Sequence, residues 1–386
     1  MRNILWLTEW LPTPLEPFAG DGIERRAKAA SLFNNIVIVY VKKNPQLRFG
    51  KVQIEERKYN DHCTAFIYYY PSIRKFSRFL DVLLSNYYFL RLHCKALNDL
   101  KKRQGKPAGI QVNVTMKNGI IALLFKRIWH VNYVVVEGWS LFLPEEKPQF
   151  KDKGWLFRFL TYRVLKKSSL LITVSNHLGQ MISRHVINVP YKVIPSVVDG
   201  TIFYPANTVR DHNKFRFIHI SNLARAKNIE QTLLALRLVI SQGYRVELVM
   251  HVSSNKDLVE KIRSLDLGDS VVVKGEVSQS MLAESIRNAD ALILFSLYET
   301  FGNVIIEAQA CGLPVITSDY PVFYETIRNY ENGIIANGKD ASSLAVAMIS
   351  CMAQKFHRRE ISSNASQTYS FERIGSMLNE VYKGYF

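Results

Sequence analysis

The sequence predicts an α/β protein made of two doubly wound domains with parallel sheets. Short apolar runs of strand length alternate with stretches at helical spacing, the pattern of a parallel sheet wrapped by helices. At 386 residues the chain can form two domains of about 180 residues, each with its own core. Its charge also divides near the middle. Residues 1–200 hold 31 Lys and Arg against 14 Asp and Glu, whereas residues 201–386 hold 19 of each.

One stretch organises the rest, SLYETFGNVIIEAQACGLPVITSD at 296–319. A strand is predicted at 289–295 and another opens at 313–317. Between them 303–310 reads as a helix, ended by Gly312 and then Pro314. Glu299 lies in the loop at the first strand's carboxyl end, where open α/β sheets bind ligands. Glu307 lies about one turn into the helix. Two carboxylates without neighbouring cations suit a neutral polyol, because each accepts hydrogen bonds from sugar hydroxyls. The amides of Gly302, Asn303 and Val304 open the helix and are free to bind an anion such as a diphosphate. Spacing alone does not separate this from two solvent-facing glutamates.

Composition narrows the class. Hydrophobic content of 48% with 22% charged residues describes a soluble globular protein. No run reaches the 18 or so apolar residues of a membrane span. The opening MRNILWLTEW is interrupted by Glu9, so a buried first strand is expected rather than a signal peptide. Cys63, Cys94, Cys311 and Cys351 show neither metal nor redox spacing and are expected to be reduced thiols of a cytoplasmic protein. The net +17 resides entirely in the first half. A basic face of that kind implies an anionic membrane surface, a pyrophosphate-linked substrate or nucleic acid.

In chain order, a strand at 3–7 leads to a loop that tightens at Gly20-Asp21-Gly22 and opens a helix from Ile23. Glycines let a backbone approach a ligand, and a helix start attracts phosphate. Strands follow at 36–41 and 65–70. Segment 73–102 sets Phe76, Phe79, Leu80, Leu83, Leu84, Tyr87, Leu90 and Leu97 at helical spacing, with Arg74, Lys75, Arg78, Arg91, Lys95, Lys101 and Lys102 among them. Such a helix either covers a sheet with a solvated basic face or lies on a membrane surface. A strand at 110–114, a helix at 118–129 and a strand at 133–136 lead into Glu137. A carboxylate there either orients an acceptor hydroxyl or is a structural hydrogen-bond acceptor. A second basic, aromatic-rich helix spans 154–167, followed by a strand at 170–174 and a helix at 175–185.

The second domain opens with a strand at 215–220. Its loop SNLARAKN carries Arg225 and Lys227 ahead of a helix at 229–240. A cation before a helix start is what a departing diphosphate requires. Strands at 246–251, 271–273 and 291–295 alternate with helices at 258–265 and 281–288. Lys274-Gly275 follows one of these strands, and 371–385 reads as a terminal helix.

The string with Ser296, Glu299, Phe301 and Gly302, followed by Glu307, Ala308, Ala310, Gly312, Pro314 and Val315, resembles the donor-site signature of retaining GT-B glycosyltransferases, family four. VIPSVVDGTIFYP at 193–205 resembles that family's crossing between domains. The resemblance implies two Rossmann-like domains facing across a cleft. An acceptor-binding domain would span 1–200, a nucleotide-sugar-binding domain 201–365, and a helix at 366–386 would cross back. It implies that Lys227 and Arg225 pair with the donor diphosphate, that Glu299 holds the sugar hydroxyls and that Glu307 holds the ribose. Thr300, Phe301, Gly302, Asn303 and Val304 would line the donor, with Gly20 and Gly22 approaching it and Lys274 and Gly275 near the base. Four places depart from the pattern, one of them Ser196, where Asn or Gly is frequent. Asp21-Gly22 replaces a double glycine, Asn222 stands where Arg is common, and Gly138 stands where many members have His, leaving Glu137 as the polar group there.

The implied reaction uses a UDP- or GDP-linked sugar, with no cofactor and no metal, and retains the anomeric configuration. The acceptor would be a glycan or a lipid-linked intermediate of surface-polysaccharide or lipopolysaccharide assembly, met at the inner face of the cell membrane. No nucleic-acid module is recognisable, so nucleic acid is not an expected partner. A catalytically idle scaffold of the same fold is the alternative that Gly138 and Asn222 motivate, and a nucleic-acid-binding protein is a second, motivated by the net charge alone.

Overall fold

The computed structural model describes all residues except 73–76, 207–212 and 254, and only the backbone of Arg78 and Phe79. Arg74, Lys75 and Phe76 of the basic segment therefore lie outside the described residues. The chain forms two compact units, one of residues 1–197 with 371–386 and one of residues 198–370.

The first unit runs β1 (Asn3–Thr8), α1 (Asp21–Ser31), β2 (Asn35–Asn44), β3 (Gln53–Asn60), β4 (Cys63–Pro71), α2 (Arg78–Gln104), β5 (Gly109–Asn113), α3 (Asn118–Trp129), β6 (Tyr133–Glu137), α4 (Trp155–Lys167), β7 (Leu170–Thr173), α5 (Asn176–His185) and β8 (Tyr191–Val193). The sheet order is β3-β4-β2-β1-β5-β6-β7-β8. Among the described strands of this sheet only the β3–β4 pair is antiparallel. The central strands are buried on both faces, which is why runs such as Val134-Val135-Val136 do not alternate with polar residues. Strand order reverses at β1, leaving a crevice at the carboxyl ends of β1 and β5.

The second unit runs β9 (Phe215–Ile220), α6 (Ile229–Ser241), β10 (Val246–His251), α7 (Lys256–Ser264), β11 (Val271–Lys274), α8 (Gln279–Arg287), β12 (Ala291–Leu294), α9 (Asn303–Ala310), β13 (Val315–Thr317), β14 (Gly333–Ile335), α10 (Ala341–Ala353) and α11 (Arg358–Tyr369). Its sheet is wholly parallel in the order β11-β10-β9-β12-β13-β14. This is the doubly wound dinucleotide-fold order, whose reversal falls between β9 and β12. The last helix, α12 (Phe371–Tyr385), belongs to the first unit. Ile374, Leu378, Val381 and Tyr382 enter that unit's core beside Ile4 and Trp6. Gly375 lets α12 press on α1, since a Cβ there would lie 2.2 Å from the Ala29 carbonyl oxygen.

α2 covers the sheet with Tyr88, Leu92, Ala96 and Leu97, while Leu80, Leu83, Tyr87 and Leu90 face outward. Lys43 on β2 fixes this rotation by pairing with Asp81 at 2.7 Å. Among the described residues of the expected apolar stripe, Leu80, Leu83, Tyr87 and Leu90 are thus exposed, Leu84 is half-buried and Leu97 is buried.

Candidate functional site

The site on the second unit is built where its strand order reverses. β9 and β12 pair only through Phe217–Ala291 and Ile218–Leu292, then part. Two bonds span the gap above. His219 Nδ1–H donates to the Ile293 carbonyl at 3.0 Å, and the Leu297 N–H donates to the Ala226 carbonyl at 2.7 Å. These bonds bring the loop after β9 against the loop after β12, so that Lys227 and Glu299 form an ion pair. Ser296 Oγ donates to Glu299 Oε1 at 3.0 Å. The two side chains are 21% and 12% exposed, so the pair lies in a recess open to solvent. The expectation of carboxylates without a neighbouring cation is corrected at Glu299, because the loop contact delivers an ammonium from 72 residues away.

Gly302 caps α9 with φ of 85°, a left-handed conformation that leaves the helix start without a side-chain cap. A Cβ there would lie 3.0 Å from Ile305 Cδ1 and 3.2 Å from Leu294 Cδ2. Thr300, Asn303 and Val304 are half-buried, and Glu307 on the first turns of α9 is buried. The Phe301 ring does not line a recess. It is buried with its centroid 6.0 Å from that of Tyr369, so its role is packing. Arg225 is exposed on the same short turn as Lys227. Lys274 and Gly275 are exposed at the end of β11, with β10 between them and β9, and are not brought to the Lys227–Glu299 pair. Their carbonyls are engaged by the Val252 N–H at 3.1 Å and by His251 Nδ1 at 3.3 Å.

On the first unit Gly20 caps α1 with φ of 79°, and a Cβ there would lie 2.6 Å from the Trp10 carbonyl carbon. The Gly22 amide is already bonded to Asp21 Oδ1 at 2.8 Å, so it is not the anion site expected at this helix start. Glu137 is also corrected. It is fully buried, and its carboxylate accepts the Thr115 N–H at 3.0 Å, the Thr115 hydroxyl at 2.6 Å, the Gly138 N–H at 3.1 Å and the Trp139 N–H at 3.0 Å. Burial pushes its pKa up and the four donors pull it back. With both oxygens bonded and no exposure, Glu137 is a structural acceptor rather than a group that meets a reacting hydroxyl.

Glu9, by contrast, stands out in the sequence only as the residue that interrupts the apolar opening. It stands directly after β1, 3.4 Å from Lys117 Nζ, and accepts from Asn118 Nδ2 at 3.3 Å. The rule that singled out Glu299, a carboxylate at a strand's carboxyl end, applies equally to it.

Residues 202–368, nearly all of the second unit, match the family described as Glycosyl transferases group 1. The chain is similar to an uncharacterized glycosyltransferase of Methanocaldococcus jannaschii, 25% identical over 255 residues that cover 61% of this chain and 65% of the relative. It is also similar to an alpha-monoglucosyldiacylglycerol synthase of Streptococcus pneumoniae, 24% identical over 259 residues that cover 62% of this chain and 58% of that protein. The matched region thus spans less than two thirds of either relative. Anabaena HepE, solved in complex with UDP, aligns with a TM-score of 0.72 at 16% identity, covering 99% of this chain and 100% of that one. The chain has the GT-B fold, and its second unit matches the Glycosyl transferases group 1 family.

Proposed function

We propose that this chain is a retaining glycosyltransferase that moves a sugar from a UDP- or GDP-linked donor to a hydroxyl of a lipid-linked glycan or glycolipid. The observation that carries the reading is the Lys227–Glu299 pair, held at the strand-order reversal beside the uncapped start of α9. As the donor's anomeric C–O bond breaks, negative charge grows on the diphosphate. Lys227, Arg225 and the Asn303 and Val304 amides supply the positive charge and dipoles that gain most from that growth. Glu299 accepts hydrogen bonds from the sugar's hydroxyls and Glu307 from the ribose. The acceptor oxygen bonds to the anomeric carbon on the face the diphosphate leaves, and its proton passes to a departing phosphate oxygen. This scheme needs no resident cofactor or metal.

The acceptor class follows from the first unit's charge and its exposed helices. α4 contains no acidic residue and exposes Trp155, Leu156, Phe159 and Tyr162 beside Arg158 and Lys166. α2 exposes Leu80, Leu83, Tyr87 and Leu90 beside Arg91. Basic helices with outward aromatics suit the headgroup region of an anionic bilayer. No helix of the described residues is long and apolar enough to cross a membrane, so attachment at the inner face would be peripheral. The Streptococcus pneumoniae relative is named for a glycolipid product, which favours the same acceptor class.

A donor panel scored by nucleoside diphosphate release, with extracted lipid-linked intermediates as acceptors, tests the reading. Acceptor-dependent release from one donor is expected. No release from any donor would leave a GT-B scaffold in its place.

A further inference from the structure

The crevice of the first unit, at the carboxyl ends of β1 and β5, holds a second group of side chains. Glu9 follows β1 and Trp10 follows Glu9. The Trp10 ring stands edge-on to Trp139, with centroids 6.0 Å apart at 82°. Both indoles and Glu9 are only half-buried. The loop after β5 is held in costly backbone. Val114, a β-branched residue, has φ of 73°, and Lys117, which faces Glu9, has φ of 58°. Such residues cost about 1–3 kcal/mol each. The Glu9–Lys117 contact alone would not offset that, since a partly exposed ion pair contributes about 1 kcal/mol or less. The strain is instead locked in by Glu137, whose oxygens tie the loop after β5, through Thr115, to the loop after β6, through Gly138 and Trp139. A buried carboxylate thus sets Trp139 and Lys117 in place around Glu9 and Trp10.

An indole pair on loops that also carry a solvent-reachable carboxylate matches a pyranose, whose C–H face is apolar and whose rim carries hydroxyl donors. Lys117 balances the charge of Glu9, which leaves the group without the net positive charge an anion would need. Resting on the transferase reading above, we propose that Glu9, Trp10 and Trp139 form the acceptor subsite and take an uncharged pyranose ring, the indoles packing on the ring and Glu9 accepting from its hydroxyls. Glu137 is then a positioning residue for this subsite.

Saturation-transfer NMR on the full chain tests this, with UDP present together with methyl pyranosides of glucose, galactose, mannose and N-acetylglucosamine and with methyl glucuronide. Transfer to at least one neutral ring is expected, exceeding that to the glucuronide. Trp139→Ala and Glu9→Gln should each reduce it at least fivefold while transfer to UDP persists. Trp139→Phe, which keeps an aromatic face, should retain at least half of it, separating lost stacking from a collapsed loop. With UDP still bound, ring signals that survive Trp139→Ala and Glu9→Gln, or that never appear, overturn the proposal. If the unaltered protein gives no transfer to UDP, and none to GDP put in its place, the transferase reading falls and this assignment with it.

Discussion

Leu297 donates its backbone N–H to the Ala226 carbonyl at 2.7 Å, and that bond sets the neighbouring Lys227 and Glu299 side by side. Because each is the other's charged partner, their contributions should be coupled. Lys227→Ala and Glu299→Ala are each expected to lower donor kcat/KM by about 100-fold or more. The double variant should be at most about tenfold worse than the weaker single, since one deletion already strands its partner. Steady-state kinetics of nucleotide release measures the cycle, and fully additive losses would contradict the coupling.

Glu137 satisfies four buried donors. Glu137→Ala should cost about 3 kcal/mol or more, since those donors lose their acceptor without access to water. Glu137→Gln, which keeps one acceptor oxygen, should cost less. Urea unfolding gives the values. A loss below about 1 kcal/mol for the alanine variant would show that the donors find other partners.

Acid should weaken the second unit through His219. Burial holds its pKa down at about 4 against an ordinary 6.5, with Lys227 adding to the depression. Above about pH 6.5 the ring is neutral in both folded and unfolded chains, so pH has no leverage through it. Below that the unfolded chain takes up the proton and the folded one does not, so stability falls until the folded pKa is reached. The full loss is up to about 3 kcal/mol. His219→Gln should flatten denaturant midpoints measured from pH 7 to pH 4. An unchanged slope would remove this histidine from the account.

The exposed face of α4 predicts the salt-sensitive membrane step. Arg158→Glu with Lys166→Glu should cut sedimentation with anionic liposomes about tenfold or more, because each basic residue near such a surface contributes about 1 kcal/mol. Trp155→Ser with Phe159→Ser should do the same without changing net charge. Being exposed, these positions should shift stability by about 0.5 kcal/mol or less. Liposome binding that withstands both pairs would assign the membrane contact elsewhere.

Much of this architecture was legible in the sequence where period and punctuation agree. β10, α3, α9 and α12 fall where apolar spacing, Gly312 and the helix starts place them. β3 was not legible. Its QIEERKYN is an edge strand whose half-buried positions are Glu55, Arg57 and Tyr59, so no apolar alternation marks it. α11 was also missed, because its inner face is Ile361, Ser362, Ala365 and Tyr369, too small and polar to stand out as a stripe. At the sites, the sequence places Glu299 and Glu137 at strand ends but not their partners. Lys227 and Thr115 lie 72 and 22 residues away along the chain, and only the strand order makes them neighbours. Glu9 shows the reverse case, because in the sequence it stands out only as a charge that ends an apolar run.

The placement of α12 has a bearing on how the protein is made. Tyr382 reaches Gln111 through its hydroxyl at 2.6 Å, and four buried side chains of that helix fill the wall beside β1. A ribosome therefore releases residues 198–370 as a finished body while the earlier-born unit still lacks one wall. Until residues 371–386 emerge, Ile4, Trp6 and Ala29 lack their cover, a surface for chaperones to hold. Cutting the chain after Ser370 should strand that half in the same unfinished state, leaving the later-born half able to fold.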